Sequence, residues 1–422
     1  MSGLRHQFLQ TVTRQIKVKE VKAAIQRELD DHINHEKAHW IKKGLSEADA
    51  EEKAIKQMGS PLQLGQQLNK IHRPRIDWWI GILLLIILSV GLLPIGSFIQ
   101  FTTQKVVYTL WGLALIISLM FFDYRKLKKF KWGFYIGGML ILFVLQFFHN
   151  AYINGNPYFI IGPLTIKSLM AIPLFYMSWA AFFRENHASA IKIGILFFVP
   201  FLLFISTSNL PTVIIYTTMV CVMSGWSQLD KRKMVKMYFV FFLAMLLLGG
   251  IFLNRTFMLL ERLSGFLHPA QHANSTGYLY LRIREVLLNS GWLGHINTKD
   301  FSMLLHGEQT DYIFAAITYQ YGWVFAIFLV LILGLLLYRM MYVVKKIKDP
   351  FGKILMVGAI YLFALQFIYN IGMNLGLLPL VGMSLPFISY GLMPTLMNSI
   401  LIGIVLSVYR QKDVIFSPKS VV

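Results

Sequence analysis

Residues 312–338 read Y-I-F-A-A-I-T-Y-Q-Y-G-W-V-F-A-I-F-L-V-L-I-L-G-L-L-L-Y, twenty-seven positions without one charge. A bilayer core of roughly 30 Å takes about 20 apolar residues per helix, so this run is long enough to cross one. Similar runs occupy 79–98, 106–122, 133–148, 166–183, 191–205, 210–225, 238–253, 355–373 and 390–408. The short pair around Asn209 also fits one broken helix. An all-α polytopic membrane protein with about ten transmembrane helices is expected.

Composition agrees. Of the 422 residues, 56% are hydrophobic and 14% charged, against roughly 25% charged in soluble domains. The net charge of +20 would suggest nucleic acid in a soluble chain. In a membrane protein, cytoplasmic loops rich in Lys and Arg are the simpler source, and no nucleic-acid partner is implied. Cys221 is the single cysteine, which excludes an intrachain disulfide and a cysteine metal cluster.

Loop charges set the expected orientation. Arg125, Lys126, Lys128, Lys129 and Lys131 follow span two; Arg184 follows span four; Lys231, Arg232, Lys233 and Lys236 follow span six; Arg339, Lys345, Lys346, Lys348 and Lys353 follow span eight. The opposite short loops hold almost none. Both termini should therefore be cytoplasmic in the cell membrane, with no cleavable signal peptide near Met1. Between spans seven and eight, 254–311 forms a long extracellular loop, with 278–293 its best helix candidate.

Residues 1–76 differ, holding nine acidic and fourteen basic residues. Val21, Ile25, Leu29 and Ile33 fall on one helical stripe; Ser46 with Asp49 resembles a capping box; Gly59 suits a helix stop; Ser60-Pro61 suits a new start. A small helical domain is expected here, ahead of a transmembrane domain at 77–410 and a cytoplasmic tail at 411–422.

Few carboxylates are left for chemistry on the outer face: Glu261, Glu285, Asp300, Glu308 and Asp311. Asp311 abuts the apolar run, where a helix N-terminus favours its charge and burial opposes it, a balance suited to a general base. Position alone also fits an N-cap or an interfacial anchor. Pro379 and Pro386 flank Gly382 in a stretch that cannot be helical, and such backbone at membrane depth needs cover from protein or a cavity. A plain outer loop is the alternative. His268, His272, His295 and His306 lack ligand spacing on one helix face, and no cofactor is evident.

Gln309-Thr310-Asp311-Tyr312-Ile313-Phe314 resembles the T-D-F-I-F segment of the SEDS proteins (shape, elongation, division and sporulation), the FtsW, RodA and SpoVE group. Residues 370–391, N-I-G-M-N-L-G-L-L-P-L-V-G-M-S-L-P-F-I-S-Y-G, resemble that family's signature before the last helix. Asp77-Trp78, Asp123-Tyr124, the F-L-H-P run at 266–269, Gly277-Tyr278, Gly291 and Gly294 match in the same order. The segment before 77 resembles the HAAS-type cytoplasmic domain that precedes permease-like proteins, with an unassigned cytoplasmic partner.

The resemblance implies a peptidoglycan glycosyltransferase that polymerises lipid II, an undecaprenyl-pyrophosphate-linked glycan, beside a class B penicillin-binding protein, in cell shape, division or sporulation. Asp311 corresponds to the catalytic aspartate, the base in an inverting transfer. Arg262, Arg255, Arg282, Arg284, Lys299, Lys105 and Lys167 are candidates for the pyrophosphates, or else headgroup-facing charges; a divalent cation would share that work. Thr310, Pro379, Gly382, Pro386 and Ser389 complete the expected substrate-binding set. Departures also exist. The family's Q-P-S-E-L-x-K is here Lys167 to Pro173, without its acid and lysine; Q-P-D-L-G-T is Thr207 to Thr212, with Asn209 for the acid; the Glu-Glu pair is Tyr319-Gln320; Gly-Ser-Ser is Leu392-Met393-Pro394. A divergent member is expected. A catalytically silent scaffold or regulator, or a lipid-linked precursor transporter, are the alternative readings.

Overall fold

The computed structural model describes residues 2–17, 19–93, 102–153, 156–161, 164–185, 190–207, 210–227, 261–294 and 310–413, with a few positions between 232 and 239. Two compact units result: Met1–Ile76 with Tyr409–Val422, and Asp77–Val408.

In the first unit, α1 (Ser2–Gln15), α2 (Lys19–Lys42), α3 (Glu47–Gln57) and α4 (Pro61–Ile71) surround one apolar core. Ile25, Leu29 and Ile33 of the expected stripe are buried there with Phe8, Leu9 and Val12 of α1, a helix not among the expected elements, and with Ile16 just past its end. Ser46 caps α3 by accepting from the Asp49 N–H, while Ser60 stands at the start of α4 without a side-chain cap. Gly59 takes φ +75°, the left-handed stop expected of it.

The second unit is a helical bundle. Its elements are α5 (Trp78–Gly91), α6 (Thr102–Phe121), α7 (Lys131–Phe147), α8 (Ile172–Phe182), α9 (Ala190–Ser206), α10 (Leu210–Gly225), α11 (Tyr278–Leu288), α12 (Ile313–Val344), α13 (Pro350–Asn374) and, as far as Val408, α14 (Leu392–Gln411). Among the described residues, five helical stretches are long and apolar enough to cross a membrane, and α5, α8, α9 and α10 are shorter apolar helices. Exposed Val324, Ile327, Phe328, Leu331 and Leu335 recur on α12 at helical spacing, as a lipid-facing stripe does. Of the expected span 238–253, residues 240–253 lie outside the described residues.

Two corrections arise. The expected fourth span begins later than Ile166: strands β1 (Ala151–Ile153), β2 (Asn156–Ile161) and β3 (Leu164–Ile166) form an antiparallel meander, with Ala151 opposite Tyr158 and Phe159 opposite Ile166. A 3-10 turn at Ser168–Ala171 follows, and Pro173 sits in the first turn of α8, where its missing N–H costs no helical bond. The expected loop helix also ends at Leu288 rather than Leu293.

Aspartates brace the end of the bundle away from the sheet. Asp77 caps α5 through the N–H groups of Trp79 and Ile80, and Asp349 caps α13 through the Gly352 N–H while accepting from the Tyr124 hydroxyl at 3.0 Å. Asp77 also receives Arg339 of α12 at 2.9 Å, with its own side chain wholly buried. Replacing one partner leaves the other charge in a poor solvent. Asp77→Ala should therefore cost at least about 2 kcal/mol, combining a lost cap with a broken, partly exposed ion pair. Thermal melting in detergent reads this, and an unchanged midpoint would show that the pair is idle.

Candidate active site

Asp311 lies just outside the first turn of α12, whose hydrogen-bond ladder starts with the Ala316 N–H donating to the Tyr312 carbonyl at 3.1 Å. Its backbone is held by the signature segment instead. Asn370 Nδ2 donates to the Asp311 carbonyl at 2.8 Å, and Asn374 Nδ2 adds a second bond at 3.1 Å. Ser389 Oγ donates to the preceding carbonyl, that of Thr310, at 2.5 Å. Asn370 and Asn374 are four apart and so share one face of α13.

The carboxyl group has mixed surroundings. A side chain built on Gly382, itself exposed, would begin 3.4 Å from Asp311 Oδ2, so the backbone of the loop comes up to the acid where the surface is open. Burial pushes the Asp311 carboxyl above the usual carboxylate range, and the Lys167 ammonium pulls it part of the way back. Lys167 responds in mirror image, lowered by burial and raised by Asp311. Tyr158 of β2 also feels the Asp311 charge, which brings the sheet into the site. The N-terminus of α12 favours the ionised form.

The signature segment is not helical between 377 and 391. Pro386, Phe387, Ile388 and Ser389 are buried, and Phe387 has φ +61°. Lys105 of α6 donates to the Ile388 carbonyl at 2.7 Å, the Tyr369 hydroxyl to the Pro379 carbonyl at 3.1 Å, and the Leu380 N–H to the Tyr280 hydroxyl at 2.8 Å. These bonds satisfy backbone that no helix satisfies.

The expected substrate-binding residues separate accordingly. Lys167, Gly382 and Asp311 come together. Thr310, Ser389, Pro379, Pro386 and Lys105 shape and hold the loop. Arg262 is exposed and its charge reaches the Tyr280 hydroxyl; Arg282 pairs with Glu285 at 2.8 Å; Arg284 is exposed on α11. Arg255 and Lys299 lie outside the described residues. Among the described residues, no group of three or more His, Cys, Asp or Glu side chains could hold a metal ion. Asn370 and Asn374 were read only as letters of the signature.

Behind the site the interior is apolar. A small cavity is lined by Leu169, Ile172, Pro173, Met383 and Met397, with Gln366 its polar member. Leu169, Ile172 and Pro173 belong to the segment that lacks the family's acid and lysine.

Known proteins resemble this chain in sequence and in fold. A probable peptidoglycan glycosyltransferase FtsW of Bacillus subtilis is 26% identical over 297 residues, 66% of this chain and 74% of that protein. Another from Coxiella burnetii is 25% identical over 368 residues, covering 80% and 97%. Stage V sporulation protein E of Bacillus subtilis is 29% identical over 155 residues, 36% of this chain and 42% of that one. A solved peptidoglycan synthase complex, described as coordinating polymerization and crosslinking, contains a chain of the same fold. Its TM-score is 0.66 at 22% identity, over 80% of this chain and 98% of that one. The rod shape determining protein RodA of Thermus thermophilus gives 0.58 at 20% identity, covering 80% of this chain and 97% of that one. The sequence matches the family described as cell cycle proteins, FtsW, RodA and SpoVE, over residues 76–414, from before α5 to past the end of α14, and the chain belongs to that family.

Proposed function

We propose that this protein is a membrane-embedded peptidoglycan glycosyltransferase that polymerises lipid II with Asp311 as general base. The observation that carries the reading is the Asp311 carboxyl, part-buried at the start of α12, electrostatically coupled to Lys167 and bordered by exposed Gly382. Its relatives' names point to the same activity.

The chemistry asks for little more. The acceptor hydroxyl gives its proton to the Asp311 carboxylate as its oxygen bonds to the donor's anomeric carbon. The bond from that carbon to the pyrophosphate breaks, the electron pair leaves with the polyprenyl pyrophosphate, and the configuration inverts. Lys167 faces the departing anion. With Leu169, Ile172 and Pro173 apolar, Lys167 takes over the charge that family members carry further along this segment.

The Asp311 end faces outward in this reading, as supported by the arginines and lysines collected at the other end. A class B penicillin-binding protein is the partner implied. The 1–76 segment is cytoplasmic and receives a partner of its own. The Arg75 N–H donates to the Arg410 carbonyl at 3.3 Å, which supports both termini lying on that side.

A base must be ionised, so activity falls as pH drops through its pKa. With labelled lipid II and purified protein, the acid limb of kcat/KM should lie above about 4, the ordinary carboxylate value. Lys167→Met should move that limb further up, because the ammonium holds the Asp311 pKa down. A limb at ordinary carboxylate pH that ignores Lys167→Met would remove Asp311 from the base role.

A further inference from the structure

Asn370 is fully buried in α13, and its Nδ2 carries two hydrogens that meet two carbonyls from different parts of the chain: Asp311 at 2.8 Å and Met383 at 2.6 Å. One amide thus joins the peptide that carries the acid to the loop that borders it. Carbonyl groups of Asp311 and Met383 lie outside any helix ladder, so without Asn370 the Met383 carbonyl loses this partner and Asp311 keeps only the longer bond from Asn374. The chemistry required is narrow. A carboxylate at this position would present acceptors to two acceptors, and leucine, of similar size, offers no donor.

We propose that Asn370 is a positioning residue for glycosyl transfer: it fixes the Asp311 carboxyl against the Gly382 edge, in register with the attacking hydroxyl. The inference rests on Asp311 being the base. Polar amides deep in a membrane bundle are costly, and this ladder of Gln366, Asn370 and Asn374, one turn apart on α13, leads to the acid. Asn398 of α14 serves as a built-in comparison, because it is equally buried and bonds Gln366 at 3.1 Å without touching Asp311.

The test compares Asn370→Leu, Asn370→Asp and Asn398→Leu in the full-length protein. With labelled lipid II, both Asn370 variants should lose kcat about 10²-fold, the size expected when a reacting group is displaced by about 1 Å, with KM for lipid II unchanged. Asn398→Leu should lose melting temperature but keep kcat. A second readout needs no turnover: a water-soluble carbodiimide with glycinamide, followed by mass spectrometry, should modify Asp311 faster in the Asn370 variants than in wild type and Asn398→Leu. Equal kcat losses in Asn370→Leu and Asn398→Leu, or an unchanged Asp311 labelling rate, would overturn the assignment. If wild type forms no polymer, the proposed activity fails by itself, and the labelling comparison still decides whether Asn370 holds the acid.

Discussion

Asp311→Asn should stop polymer formation while leaving the protein at least as hard to melt as wild type. A positioned general base contributes about 10²–10⁴-fold, so the residual rate should fall by that factor. The stability half follows from the sign of the shift. Burial holds the folded-state pKa of Asp311 above its unfolded value, so the acid stabilises the fold below the ordinary carboxylate range. That contribution disappears as pH rises through the elevated pKa. At neutral pH the ionised carboxyl is therefore a cost that an amide of the same shape removes. Losing the attraction of Lys167 works the other way, but burial is the larger influence on Asp311, and the balance favours the variant. Labelled lipid II polymerisation and thermal melting in one detergent check both halves. Wild-type polymer from the variant would exclude Asp311 from the reaction, and a marked loss of melting temperature would make the acid a structural anchor.

Much of the bundle was legible because membrane helices announce themselves by length and apolarity, whatever they pack against. Asp311 stands out in the sequence for a related reason, as a lone acid against an uncharged run. Other features depend on partners remote in sequence. Nothing local marks Asp77 as the counter-ion of Arg339, 262 residues away. Asn370 and Asn374 have the ordinary look of polar residues at a helix end; their purpose shows only once the Asp311 carbonyl stands before them. Two omissions were within reach. Phe8, Leu9, Val12 and Ile16 carry the helical spacing of α1, and Asn154-Gly155 is a hairpin signal between the residues of β1 and β2. Both signals are weak in place, because one segment is mostly polar and the other sits beside a stronger apolar run.

The break in α12 was beyond reading, since Gly322 stands inside a continuous apolar run. There the backbone adopts φ +86° and ψ +169°, a region essentially reserved for glycine. The Trp323 N–H donates to the Gly291 carbonyl at 3.1 Å and the Val324 N–H to the Trp292 carbonyl at 3.2 Å. The connection after α11 thus supplies the bonds that the helix gives up. No room is left: a Cβ on Gly322 would stand 2.3 Å from the Trp292 carbonyl oxygen, and one on Gly294 would stand 2.2 Å from that of Gln320. All of these are backbone contacts that no rotamer change relieves. Gly322→Ala should accordingly lose on the order of 3–5 kcal/mol from forbidden torsion and a forced separation. It should also lose polymerisation where folded protein survives, because the half-helix from Ile313 to Tyr321 is what presents Asp311. Gly334→Ala, in the same helix with open space around its Cβ position, should be neutral or stabilising by up to about 1 kcal/mol from helix propensity. Detergent melting curves for the two variants decide the matter. Equal midpoints would mean that the joint at Gly322 yields, and that Asp311 is held by the signature segment alone.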